Sequence, residues 1–85
     1  MALQLLYFAR VREGIGLDGE SVDPPADVAT VGDLIAWLTT RGAGYAAAFA
    51  DRTRLRAAID QRFVDLGAAI GQAREIALFP PVTGG

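Results

Sequence analysis

Leu3-Gln4-Leu5-Leu6-Tyr7-Phe8-Ala9 is apolar at every position but Gln4. A short run with no polar face reads as a strand buried on both sides. A second such run lies near the other end of the chain, Arg74-Glu75-Ile76-Ala77-Leu78-Phe79. In it Ile76 and Leu78 share one face, and Ala77 and Phe79 share the other. Strands this apolar suit the centre of a sheet. As neighbours they would be parallel, with the chain between them crossing over on one face.

The intervening segments fit that plan. Arg10-Val11-Arg12-Glu13, followed by Gly14, Gly16 and Gly19, reads as a turn region. Glu20-Ser21-Val22-Asp23 is a short return strand, stopped by Pro24-Pro25 because proline cannot donate to a sheet ladder. Thr30 can cap a helix, and Asp33 suits the positive end of its dipole. Val31, Leu34, Ile35 and Leu38 then make one apolar stripe. The spacing predicts a main helix over 31–41, closed by Arg41 and Gly42. Tyr45 to Ala50 supplies one or two more helical turns. Leu55, Ala57 and Ile59 alternate with more polar neighbours as a strand, and Asp60-Gln61-Arg62 turns it back into Phe63-Val64. The order is β-β-α-β-β with a short extra helix. This predicts an α+β domain, a ubiquitin-like β-grasp with a mixed sheet packed on one main helix. Residues 1–79 form the domain and residues 80–85 an extended tail.

Composition narrows the chemistry. The chain has 85 residues, enough for one domain. It contains neither cysteine nor histidine, which removes disulfides, thiol catalysis, zinc-thiolate sites and the commonest general base. All eight positive charges are arginines, so no side chain can form a Schiff base or accept an isopeptide bond. A net charge of −2 argues against nucleic acid as partner. No segment approaches the roughly 20 apolar residues of a membrane span, and the first residues lack the charged region of a signal peptide. The expected location is the cytoplasm.

The last charged side chain is Glu75. Beyond it runs Ile76-Ala77-Leu78-Phe79-Pro80-Pro81-Val82-Thr83-Gly84-Gly85. Chain ends are usually polar; this one is apolar. Pro80-Pro81 favours an extended path and lowers the entropy lost on docking. Phe79, the prolines and Val82 offer apolar contacts to a groove. Gly84-Gly85 can thread a channel too narrow for any Cβ. The tail can thereby deliver a terminal carboxylate into another protein's active site. A carboxylate is a poor acyl donor; adenylation makes it reactive, and sulfur can then displace AMP.

Phe79-Pro80-Pro81-Val82-Thr83-Gly84-Gly85 resembles the terminal signature of the molybdopterin synthase small subunit. Leu6-Tyr7-Phe8-Ala9-Arg10-Val11-Arg12-Glu13 is similar to that family's first strand and following turn. Thr30-Val31-Gly32-Asp33-Leu34 is similar to its helix start, and Ala57-Ala58-Ile59-Asp60 stands where the family usually has Ala-Val-Asn. Two departures touch loops. Ala73-Arg74-Glu75 replaces a usual Gly-Asp-Glu turn, and Asp60 replaces Asn. The resemblance implies a sulfur carrier. Gly85 is the reactive terminus, and Pro80, Pro81, Val82, Thr83 and Gly84 occupy the partner's channel. Phe8, Arg12 and Phe79 meet the partner's surface. It implies two partners, the large synthase subunit and a ubiquitin-activating-type adenylyltransferase that uses ATP. It also implies an assembly of two small and two large subunits. The chain itself would bind no cofactor or metal, and would be enzymatic only as the sulfur-donating subunit.

Several alternatives stay open on the residues alone. A sulfur carrier for thiamine or cysteine biosynthesis would share the fold and the Gly-Gly end. A ubiquitin-like interaction domain would share the fold without the chemistry, and a protein modifier would use the same terminus. Arg10 and Arg12 read as a solvated turn or as partner contacts. Phe8 reads as core or, with Phe79, as an exposed interface patch. Trp37 reads as packing, and Asp51, Asp60 and Asp65 as solvated loop residues rather than a metal site.

Overall fold

A computed structural model describes residues 2–81. It contains a five-stranded mixed sheet with helices on one face. The strands are β1 (Leu3–Tyr7), β2 (Gly19–Val22), β3 (Arg56–Ile59), β4 (Arg62–Val64) and β5 (Glu75–Phe79). Their spatial order is β2-β1-β5-β3-β4. The two apolar runs are neighbours and parallel, with Leu5 opposite Ile76 and Tyr7 opposite Leu78. β5 also pairs antiparallel with β3, so the last strand in sequence is the middle one in space. Leu3, Leu5, Tyr7, Ile76 and Leu78 face the core and are buried.

Helix α2 (Val31–Thr39) makes the crossover. Its Val31, Leu34, Ile35 and Leu38 are all fully buried, each worth about 1.5–3 kcal/mol of transfer free energy. Its free amides are accounted for one by one. Val31 N donates to Ala68 O at 3.0 Å and Gly32 N to Leu66 O at 2.7 Å. Asp33 N donates to Thr30 Oγ1 at 3.1 Å, and the Asp33 carboxylate accepts from the Thr30 amide. The expected cap is thus a full capping box.

Three sequence expectations need correction. Residues 10–13 are not a turn but the middle of helix α1 (Ala9–Ile15). Val11 is its buried contact and Ile15 packs one turn on, an i, i+4 pair. Gly16, at φ 89°, ends the helix by donating to Arg12 O. The first strand therefore stops at Tyr7 rather than Ala9. The main helix stops at Thr39, and Gly42 begins helix α3 (Ala43–Ala48) instead of closing α2. Arg41 makes a different contact from the one expected. Its guanidinium lies over the Trp37 and Tyr45 rings, at 5.2 and 5.5 Å, and pairs with Glu20 at 3.4 Å. Phe63-Val64 lies within a full strand, joined to β3 through Asp60 and Gln61, both at positive φ.

Glu20 Oε2 accepts from both the Tyr7 and Tyr45 hydroxyls at 2.7 Å, tying β1, β2 and α3 together. Burial, then this hydrogen bond, pushes both phenols above their ordinary pKa. The three acids of the loops shape turns. Asp51 Oδ1 accepts from Thr53 N, Asp60 Oδ1 from Arg74 N and Glu75 N, and Asp65 Oδ1 from Gly67 N.

Helices α1 and α3 pack through small residues. A Cβ at Gly44 would lie 2.7 Å from Gly14 O. Gly44→Ala is therefore expected to cost about 1–3 kcal/mol, read as a lower urea midpoint; an unchanged midpoint would show that the helices separate freely. Backbone hydrogen bonds from Ala29 and then Thr30 hold the Asp33 carboxyl below its ordinary pKa of 3.8. The wild type's stability advantage over Asp33→Asn should thus be full above that value and vanish as pH falls through the lower folded pKa. An advantage that persists in strong acid would contradict this account.

Candidate functional site

β5 ends at Phe79 and hands the chain to Pro80 and Pro81 at the end of the sheet where β1 passes into α1. Phe8 is the hinge of that passage. Its extended backbone donates to Leu78 O at 3.3 Å, and its carbonyl accepts from Val11 and Arg12. Extending the β1–β5 register by one residue sets Phe8 opposite Phe79. Phe8 is 45% exposed, so it is not core. Phe79 is half-buried.

The helices leave the second face of the sheet open. Leu6, Ala77, Ala58 and Phe79 line it by strand alternation, with Phe63 opposite Ala58 on β4. Sequence reasoning gave Phe63 no functional part, yet it is 85% exposed. Its ring centroid lies 5.8 Å from that of Phe79, tilted by 50°, a favourable aromatic arrangement. The rings meet across β3, where Ala58 is small. The signal was available: Phe63 alternates outward from Val64, which packs on the core.

The site thus combines three aromatic side chains, a floor of small apolar ones and the root of the tail. Arg12 stands exposed on α1 just beyond Phe8. On the other side Arg56, opposite Phe79, donates to the carbonyls of Thr53 and Leu55. Pro80 and Pro81 are half-buried beside a groove of about 490 Å³ between α1, α3 and the start of β3. The expectations for Val82, Thr83, Gly84 and Gly85 lie outside the described residues. Among the described residues no three acidic side chains gather into a metal-binding group, and no helix is long and apolar enough to cross a membrane.

The ThiS family profile matches residues 5–85. The chain belongs to the ThiS family. It is 39% identical over 83 residues to the molybdopterin synthase sulfur carrier subunit of Haemophilus influenzae, covering 98% of this chain and 99% of that protein. It is 37% identical to the Escherichia coli protein of the same name, with the same coverage. Among solved structures, small archaeal modifier protein 1 of H. volcanii superposes with a TM-score of 0.70 at 28% identity, covering 95% of this chain and 98% of that one. These relatives bear out the family resemblance read from the tail and the β-grasp read from the strands.

An exposed ring adds little to folding. Phe63→Ser is expected to change stability by about 1 kcal/mol or less, whereas Leu78→Ala, in the core, should cost about 2–5 kcal/mol. Equal losses, measured by urea titration, would mean that Phe63 is structural.

Proposed function

We propose that this chain is the sulfur carrier subunit of a molybdopterin synthase, with the Gly85 carboxylate as the group that carries sulfur. The observation that supports this most is the family match running through residue 85, in a chain whose central strand leads straight into Pro80 and Pro81. A carrier needs a rigid body, a docking face and a reach. The sheet is the body, the open face with Phe8, Phe63 and Phe79 is the docking face, and Pro80 to Gly85 supplies the reach.

The chemistry divides between partners. An adenylyltransferase of the ubiquitin-activating class lets a Gly85 carboxylate oxygen attack the α-phosphorus of ATP, releasing pyrophosphate. Sulfide-level sulfur (HS−) from a donor then attacks the acyl carbon, the bond to the AMP oxygen breaks, and a thiocarboxylate forms as the proton passes to water. In the large synthase subunit that sulfur bonds to a carbon of a cyclic pterin precursor and displaces an oxygen substituent from it; water then attacks the acyl carbon, breaks the acyl–sulfur bond and restores the carboxylate. This chain contributes positioning, not an active site of its own. The need for ATP fits a cytoplasmic cycle. The docking role of Phe8, Arg12, Phe63 and Phe79 has a physical basis: aromatic anchors in a face of small residues exclude water, and an arginine at the rim offers paired hydrogen bonds. The structural neighbour named as a modifier protein favours one other reading, attachment of Gly85 to amines of other proteins. The products separate the two, a thiocarboxylate or an amide.

The direct test is to delete Gly85, or to add one residue after it, in a reconstituted synthase. Either change shifts the carboxylate by one residue's length, about 3.5 Å, which is large beside the tolerance of a catalytic geometry. Both variants should stay folded and keep most of their affinity for the large subunit, yet lose adenylation and sulfur transfer. Phe8→Asp and Phe63→Ser should show the converse, weaker binding with an intact terminus. A Gly85 deletion that converts the pterin precursor at the normal rate would refute the carrier reading.

A further inference from the structure

Among the described residues, left-handed backbone at a residue other than glycine occurs three times, at Ala9 (φ 52°), Asp60 (φ 48°) and Gln61 (φ 72°). Asp60 and Gln61 form the two-residue loop between Ile59 and Arg62, which pair across the β3–β4 hairpin. The favoured two-residue hairpin turn needs positive φ at both central residues, so the turn explains them. Ala9 lies in no hairpin. It is the first residue of α1, and its methyl group has no polar atom with which to hold the backbone locally. A Cβ in this region crowds the following carbonyl oxygen. Such strain persists only where the surroundings over-determine it.

The surroundings do so on both sides. Phe8 is extended, at φ −130° and ψ 153°. Its amide donates to Leu78 O at 3.3 Å, and its carbonyl accepts from Val11 N at 3.1 Å and Arg12 N at 3.3 Å. One residue later the chain is helical, and the buried Val11 fixes α1 in the core. The left-handed step at Ala9 thus turns strand into helix without a linker and keeps both backbone groups of Phe8 bonded. Phe8, exposed and opposite Phe79 in the extended register, has only its side-chain torsions left to vary.

We propose that Ala9 is a positioning residue: its strained left-handed backbone, clamped between β5 and α1, holds Phe8 in place on the docking face at a cost in stability. This rests on the reading of Phe8 as a contact for the large synthase subunit. The residue type matters. Glycine adopts the same φ without strain, but it also opens the extended positive-φ region that a Cβ forbids. Relief of strain and loss of rigidity then come together. Alanine keeps the hinge in one conformation, so less ordering of Phe8 remains to be done on docking. Asparagine has a Cβ and tolerates the left-handed region, so it relieves the strain and keeps the hinge narrow.

The test compares wild type with Ala9→Gly, Ala9→Asn and Phe8→Ala, each as the full chain. The readouts are the urea midpoint, amide hydrogen exchange at Phe8, Val11 and Arg12 in the free protein, and affinity for the large subunit by titration calorimetry. Ala9→Gly should raise the folding equilibrium constant about threefold or more. The same variant should exchange those amides about tenfold faster and bind the large subunit about threefold to tenfold more weakly. Ala9→Asn should also gain stability, yet exchange and bind like wild type. A residue that serves folding alone does not move stability and affinity in opposite directions. Wild-type exchange or affinity in Ala9→Gly would overturn the positioning role, as would an equal loss of affinity in Ala9→Asn. A lower urea midpoint in Ala9→Gly would overturn the strain. Phe8→Ala should bind about fivefold more weakly or worse; if it binds like wild type, the docking reading of Phe8 falls, and this inference with it.

Discussion

β5 pairs parallel with β1 on one side and antiparallel with β3 on the other. The last strand to leave a ribosome is thus the one that joins the two halves of the sheet. Every other feature follows from that pairing. A parallel neighbour requires a crossover, and α2 is that crossover, buried through Val31, Leu34, Ile35 and Leu38. The pairing also decides where the chain leaves the domain. β5 must run in the direction of β1, so Phe79 emerges beside Phe8, at the start of α1. The tail is therefore anchored by a central strand rather than hung from an edge.

That anchoring sets how the two functional parts cooperate. The open face places Phe63 and Phe79 in contact and Phe8 beside Phe79 at the tail root, so under the proposed function a partner that covered the face would also receive the tail. β5 itself joins the open face to the start of the tail. Division of labour follows naturally. Under the proposed function, docking would be tuned at side chains of the face and chemistry at the terminus. A chain without histidine or cysteine suits the proposed function, in which the reactive groups would belong to its partners.

Much of the fold was legible in the sequence. β1 and β5 announced themselves by uninterrupted apolarity, and α2 by Thr30, Asp33 and a regular stripe. These are strong, redundant signals. Helix α1 was not legible, because Gly14 and Gly16 read as breakers, and Val11 and Ile15 give too short an apolar stripe to outweigh them. Gly16 is in fact the left-handed cap that ends the helix. Arg41 fits a helix-end cation equally well, and only the tertiary neighbours Trp37, Tyr45 and Glu20 reveal its contact. Phe63 was overlooked because a three-residue strand carries too little alternation to show which way its side chains point. Its partner Phe79 lies two strands away in space and 16 positions away in sequence. The family was legible in the tail for the opposite reason: the resemblance lies in residue types rather than in packing.

The most direct test of this account is the mass of the C-terminal peptide of the protein purified from cells that make its partners. A carrier at work must spend part of its cycle as a thiocarboxylate. The account predicts a population of that peptide heavier by the difference between one sulfur and one oxygen, with the change on Gly85, and its loss when the adenylyltransferase is absent. A terminus found only as the plain carboxylate, in cells actively making molybdopterin, would contradict it.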